Sequence, residues 1–415
     1  SETIGGETLM KGYTANALNQ YTAIANPDAV GLRGSATNTA TVTVNGEAAL
    51  SDSIASDTVP WHFALQADNA DGGKYTFASI VGVVNPPGTN TPDLVSTASG
   101  SVYAPPQQET LTYDDDGNLV SDGRWQYTWN GENRLIKAEE LVSPTNRLPN
   151  VVEYTYDHRG RMIWKTVASP TTPPVKAITY LWDDYNIITE AIAQDNATNT
   201  TYNIWGLDLD GILQGAGGVG GLLAVVKDSA TYVPAWDANG NIIEYSADDG
   251  MIVAHREYDP FGGTIVATGD VDTFSHWFST KPWCSVTGLC EYQYRKFSPV
   301  IGRWLVREPL GESECANLFV IVFNTLPNDI IDYLGAEPIK VGGACSIHGR
   351  GDEGQFDSIA SSCSENWKAV SSGEEILSHL KTLTTTSKSC CISEYTIAGH
   401  GCRYRDDTKE RDLGP

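Results

Sequence analysis

The feature that most constrains this chain is a repeat. From Tyr113 onward an aromatic residue is followed by Asp or Asn, a glycine-containing turn and an apolar pair. The clearest copies are YDDDGNLV, WNGENRLI, YDHRGRMI and WDANGNII, with looser ones in WDDYNIIT and YDPFGG. They start at Tyr113, Trp129, Tyr156, Trp182, Trp236 and Tyr258, separated by 16, 27, 26, 54 and 22 residues. Periods in the twenties point to stacked β units. Each turn needs Gly, Asn or Asp for a positive φ, while the aromatic residue and the apolar pair pack inward. One hairpin of this kind cannot bury its own face, so each must lie on its neighbour. Helical periods are few, and the expected fold class is mainly β, a curled sheet of stacked hairpins.

The flanks differ from the repeats. Residues 1 to about 105 are rich in Thr, Ala, Val, Asn and Gly, and TATVTVNGEAAL alternates with period two before an Asn-Gly turn; this is a strand and hairpin signal. NPPGTNTP and YAPPQQ interrupt pairing near its end, because proline cannot donate to a ladder. A small N-terminal β module, or insertion, is therefore expected over residues 1–108. Beyond residue 336 the composition shifts again: three cysteines (Cys284, Cys290 and Cys315) precede it and five (Cys345, Cys363, Cys390, Cys391 and Cys402) follow it. The segment to Ala336 carries 40 acids and 18 bases, the tail 12 and 9. Neither zinc spacing nor disulfide connectivity follows from these positions. The tail, 337–415, reads as a separate small α/β domain, with an amphipathic helix in SGEEILSHLKTL from the spacing of Ile376, Leu377, Leu380 and Leu383.

With 27 Lys and Arg against 52 Asp and Glu, the formal net charge is −25. Phosphate attraction requires clustered cations, so no nucleic-acid or anionic-membrane partner is expected. No apolar run reaches 18 residues, which predicts no membrane span, and SETIGGETLM lacks the basic-then-apolar order of a secretion signal. The chain reads as the middle or end of a longer polypeptide.

From Tyr232 to Ala336 the repeats give way to an ordered series: EYDPFGG, then FSTKPWCSVTGLCEYQYRKFSPVIGRWLVREPLG, then NLFVIVFNTLPNDIIDYLGAE. Together with the repeats, this series resembles the YD-repeat, or RHS, proteins and their repeat-associated core, over roughly residues 111 to 336. YTANALNQYT adds a short N-terminal piece of the same likeness. The resemblance implies a bacterial protein, secreted or at the cell surface. It implies a hollow β-sheet shell, YD repeats over 111–231 and a core over 232–336. The shell would hold a variable C-terminal domain as cargo, with a target-cell surface or a neutralising immunity protein as further partners. In such proteins the core can cut its own chain just after the closing motif.

Peptide hydrolysis by paired carboxylates needs one ionised group to activate water and one protonated group to donate to the amide. The closing motif is Asp332-Tyr333-Leu334-Gly335 and the earlier one Arg307-Glu308-Pro309-Leu310-Gly311. Asp332 and Glu308 are the expected pair, Arg307 the cation that orients one of them, and Asp329 the reserve. The cleavage region is Gly335, Ala336 and Glu337. Two departures from the family pattern bear on this: Tyr333 stands where proline is usual, and Glu308 where Asp is usual. The extra methylene of Glu308 moves its carboxyl by roughly 1 Å, a misplacement worth about 100-fold in rate. If no bond is cut, Arg307 and Glu308 close a turn and the shell is a surface adhesin or scaffold.

Other motifs read as structure. Asn317, Asn324, Gly302, Arg303 and Trp304 are expected to pack and turn the core, with Arg303 holding a planar acceptor bidentately. GAGGVGG at 215–221 has the dinucleotide-loop spacing but precedes a β-branched run instead of a helix, so no cofactor is expected. Asp114, Asp115 and Asp116 lack the closing acid of a calcium loop, so no metal is expected either. In the tail, His400 between two glycines and Cys402 resemble the base of a caspase-like cysteine hydrolase. Cys345, Cys402 or sequence beyond Pro415 would supply the nucleophile; His348 and His379 are weaker candidates.

Overall fold

A computed structural model describes residues 2–4, 7–51, 57–88, 91–143, 149–168, 176–309, 311, 317–321 and 335, and the backbones of strands 330–332, 338–340, 347–348, 391–398 and 402–407. The repeats build one antiparallel sheet of 14 strands in strict sequence order, from Thr112–Tyr113 to Thr264–Gly269. The sheet order runs without a break through residues 231 and 232. The architecture changes after Gly269, where short turns and a four-stranded sheet of two- and three-residue strands follow.

The repeat motif explains itself in this sheet. The Asp or Asn after the aromatic residue folds its carboxyl or amide oxygen back onto the turn. Asp157 Oδ1 accepts from the amides of Arg159 and Arg161, each at 2.9 Å. Asp237 does so from Asn239 and Asn241, and Asp259 from Phe261 and Gly263. The residue three positions later takes a positive φ: glycine at Gly117, Gly160, Gly240 and Gly262, and Asn133 in WNGENRLI. At Gly160 (φ +75) a Cβ would strike the Arg134 guanidinium, which donates to the Gly160 carbonyl at 3.1 Å, so glycine is required twice over. The aromatic residue sits at a register shift in its strand and reaches across to the preceding copy. Trp129 donates to the Leu119 carbonyl, Tyr156 to Leu135, Trp182 to Met162 and Tyr258 to Ile242, at 2.7–2.8 Å. Each acceptor is the first residue of the previous apolar pair. In these copies a polar group of the preceding one is satisfied by the next, which is why one copy cannot stand alone.

One copy escaped the sequence pattern, and the N-terminal piece YTANALNQYT proves to be a full copy. Trp205 donates to the Ile187 carbonyl at 2.8 Å and divides the gap of 54 residues between Trp182 and Trp236. Its turn residue, Asp208, lies two positions further on than usual, in WGLDLDG. In YTANALNQYT, Asn16 Oδ1 accepts from Leu18 and Gln20, and Asn19 has a φ of +62, as Asn133 does in WNGENRLI, where most copies have glycine. That copy forms the hairpin Gly12–Ala15 and Tyr21–Ala25, which pairs with Gln108–Thr110. Ile24 and Leu111 share the core of the large sheet.

Residues 29–104 are therefore an insertion between two strands of the repeat region. They form two facing sheets, one of Ala29–Thr37, Thr58–Gln66 and Leu50–Ser51, the other of Leu94–Ala104, Lys74–Val84, Ala40–Val44 and Glu47–Ala48. This order matches an immunoglobulin-like sandwich without its first strand. Val42, Val44, Trp61, Leu65 and Ala78 make its own small core.

The segment after Gly269 fills one face of the large sheet. Cys284, Leu289 and Leu305 join Tyr154, Ile178 and Tyr180 in one cluster, and Phe274 stacks on Tyr245 with ring centres 3.8 Å apart. A buried ion pair fastens the layers: Lys165 of the sheet meets Glu291 of the core at 2.8 Å, with side chains 6% and 0% exposed. Burial opposes both charges, but their mutual attraction overrides it, so Lys165 is held well above its ordinary range and Glu291 below. Lys296, over the Tyr154 ring at 4.9 Å, is pulled down to about 8 by burial.

Candidate functional site

The chemistry-bearing residues of the core gather around its four short strands, Trp283–Cys284, Leu289–Glu291, Lys296–Ser298 and Arg303–Trp304. The aromatic-rich run EYQYRKF and the Gly-Arg-Trp step are brought together there because Phe297 pairs with Trp304 in register. Trp304, 1% exposed, takes Tyr292 and Phe297 edge-on at 4.8 and 5.3 Å. On this platform lies Arg295, its guanidinium carbon 4.1 Å from the Trp304 ring centre.

Arg295 is the residue that organises the site, and sequence reasoning missed it. Its Nη2 pairs with Glu308 Oε2 at 2.7 Å, while its Nε donates to the carbonyl oxygen of Gly335. One buried guanidinium therefore joins the carboxylate of the earlier motif to the carbonyl of the closing glycine. Gly335 must be glycine: its φ is +77, and a Cβ would lie 3.2 Å from both the Arg295 nitrogen and Tyr292 Cβ. The signal available in sequence was an arginine in an aromatic run, just before a strand that pairs with a buried tryptophan, a pattern that gains meaning only when the register is known.

Glu308 is held by its backbone as well, donating to the Leu318 carbonyl at 2.9 Å and accepting from Gly311 at 3.0 Å. Arg307 does not reach this carboxylate. It points outward and donates Nε to the Asp116 carbonyl at 2.5 Å, packed on Gly117 of the first repeat turn. The cation on Glu308 is thus Arg295. Asp332 ends the strand Ile330–Asp332, which pairs with Pro338–Lys340 so that Asp332 faces Pro338 across the ladder. Gly335 lies in the connection between these strands, three residues after Asp332. The Asp332 side chain, Asp329, Ala336 and Glu337 lie outside the described residues, as does Asn324.

Other motifs resolve into structure. The Gly215–Gly221 loop runs into the strand Leu222–Lys227 and wraps its amides around a carboxylate of this same chain, with Ala216 and Gly218 donating to Asp208 Oδ2 at 2.7 and 3.1 Å. Asp114 is the turn acceptor of the first repeat, receiving the Asn118 amide at 2.8 Å. Arg303 lies over the Tyr21 ring and donates to its hydroxyl at 3.1 Å, in place of the planar acceptor expected. His276 sits against Ser275 Oγ at 2.9 Å and Glu190 at 3.7 Å, and burial lowers it to about 4, so it is neutral there.

Of the tail, the strand Ile347–His348 runs parallel to Cys391–Ala398, which pairs antiparallel with Cys402–Asp407. Cys402 opens that last strand opposite Ile397. His400 and Cys345 lie outside the described residues, as do His379 and the expected helix. Among the described residues no helix is long and apolar enough to cross a membrane.

An ordered sheet of aromatic-anchored repeats, wrapped on a core that clamps its own closing glycine, defines a β-shell protein of the RHS, or YD-repeat, class. The teneurin YD-shell pattern matches residues 106–314, half of the sequence, and the chain belongs to that family. A tRNA3(Ser)-specific nuclease WapA of Bacillus spizizenii is 27% identical over 203 residues, 48% of this chain and 8% of that protein. The toxin subunit YenC2 of Yersinia entomophaga is 33% identical over 97 residues, 22% of this chain and 10% of that protein. The chain thus spans a small part of the curated relatives it matches. Among solved structures, TcdB2-TccC3-Cdc42 aligns over 80% of this chain and 16% of its own, at 16% identity and a TM-score of 0.45.

Proposed function

We propose that this chain is the closing part of a secreted or surface-exposed bacterial shell that encloses its C-terminal domain and severs it after Gly335. The observation that carries the reading is the Arg295 clamp, which puts a fixed guanidinium on the Gly335 carbonyl and on Glu308 at once. In the proposed step Glu308, ionised in its pair with Arg295, takes a proton from water, and the water oxygen bonds to the Gly335 carbonyl carbon. Charge developing on the carbonyl oxygen falls on Arg295. Asp332, as the protonated partner, gives its proton to the Ala336 nitrogen as the C–N bond breaks, leaving a Gly335 carboxyl and a free Ala336 amine. The domains proposed from sequence serve this scheme, with 111–336 as shell and core and 337–415 as cargo. Relatives named as toxin subunits and tRNA nucleases support a toxic cargo, for which an immunity protein or a target-cell surface would be the partner.

Intact mass under denaturing conditions tests this. The parent is expected as two fragments meeting between Gly335 and Ala336, and Asp332→Asn, Glu308→Gln and Arg295→Ala each as one 44.8 kDa chain. Arg307→Ala should cleave like the parent, since Arg307 serves the first repeat turn. A single chain in the parent would favour the second reading, a non-cleaving adhesin or scaffold in which the same clamp only pins the closing hairpin against Trp304.

A further inference from the structure

The inserted sandwich ends in an edge strand, Leu94–Ala104, that lacks the usual protection. Edge strands are normally blunted by charge, proline, a bulge or shortness. This one has 11 residues, LVSTASGSVYA, with no charged residue and no proline. It pairs with Lys74–Val84 through 11 consecutive partners without a register shift. Residues 94–101 are exposed in unbroken succession, so both faces of the strand are open along with its outer row of amides and carbonyls. At about 3.3 Å per residue the open stretch is roughly 25 Å long.

We propose that this strand is the seam of a two-fold dimer, in which two copies of the chain join their four-stranded sheets edge to edge. Charge and register both favour a second copy as occupant. The chain carries a net charge of −25, so most surfaces of two copies repel each other, and this strand opposes no like charges to itself. A two-fold axis perpendicular to the sheet keeps the two faces alike, so residues opposed across the seam must have numbers of equal parity. Centring the pairing on Ala98, in the middle of the open stretch, sets Val95 opposite Ser101 of the second copy. Phe77 lies beside Ser101 in its own sheet, and Val83 beside Val95. Ala78, next to Phe77, faces the sandwich core, so Phe77 points outward, where it is 58% exposed. In the dimer the small Ser101 lets the Phe77 ring lie across to Val95 of the other copy, itself 60% exposed alone, and symmetry makes this contact twice. The seam therefore covers apolar side chains the single chain leaves in water, while the outward ladder groups find partners.

Sedimentation velocity of the whole chain over a concentration series, at physiological salt, tests the seam. The expected result is a concentration-dependent dimer. Ala98→Lys places two ammonium groups face to face at the axis and should weaken it by about 100-fold. Ser99→Asp, away from the axis, adds a second disruption of opposite sign, and Phe77→Ala should weaken the dimer by about tenfold. Hydrogen exchange of amides 94–101 should be slow in the parent dimer and fast in Ala98→Lys. All three positions are exposed, and an unchanged near-ultraviolet spectrum verifies folding. A parent that stays monomeric across the series, or a dimer that both charged variants leave intact, overturns the proposal.

Discussion

The repeat sheet and the core segment that packs on it are held by opposite kinds of chemistry. In the sheet, turns such as those at Asn130, Asp157, Asp237 and Asp259 are closed by an Asp or Asn bonded to amides two and four residues on, and the tips of Trp129, Tyr156, Trp182, Trp205 and Tyr258 reach back 10 to 21 residues. The same few contacts recur from copy to copy. In the core, the decisive contacts occur once and span the chain: Lys165 to Glu291 across 126 residues, Arg295 to Gly335 across 40. The difference teaches where function can reside. A repeated local contact builds length and tolerates variation in any single copy, whereas a unique buried charge is fixed from several sides and can be aimed at one bond.

Substitutions should separate the two kinds by size. Glu291→Ala strands Lys165 and Lys296 as buried cations without their carboxylate, and should cost about 3–5 kcal/mol, seen as a large fall in the unfolding midpoint. If the loss is no greater than for a repeat turn, the contrast fails.

A second non-local contact gives a pH dependence. Glu109 accepts from Asn26 at 2.8 Å across the whole inserted sandwich, and burial raises its carboxyl from 4.5 to about 7, against the Asn26 hydrogen bond. The folded state keeps a proton that the unfolded chain releases above 4.5. Stability from this group is therefore full below pH 4.5, declines as pH rises through 7, and is level above that, by at most about 3 kcal/mol. Glu109→Gln should flatten this part of the stability profile. A slope unchanged in the variant would assign the titration elsewhere.

Within the repeats the effects should be smaller and alike. Asp157→Ala leaves two turn amides and Arg161 without their acceptor and should cost about 1–3 kcal/mol. Tyr156→Phe removes only the bond to the Leu135 carbonyl and should cost about 1 kcal/mol. The equivalent Tyr258→Phe should match it; a several-fold disparity between the two would show that the copies are not equivalent.

The repeat motif by itself determined the fold class, the order of the sheet and the turn conformations, because those contacts close within a few residues of the motif. The same sequence singled out Glu308 and Gly335 through the closing motifs, and the structure joins the two through Arg295. The sequence concealed the copy at Trp205, where the turn Asp is shifted along the chain. It also paired Glu308 with Arg307, its neighbour in sequence, whereas the cation that meets Glu308 in the structure is Arg295. Only the tertiary structure decided this, since which arginine meets a carboxylate depends on strand register and on the face a tryptophan presents. Those are set by packing between segments far apart in the chain, a distance over which sequence spacing carries no geometry.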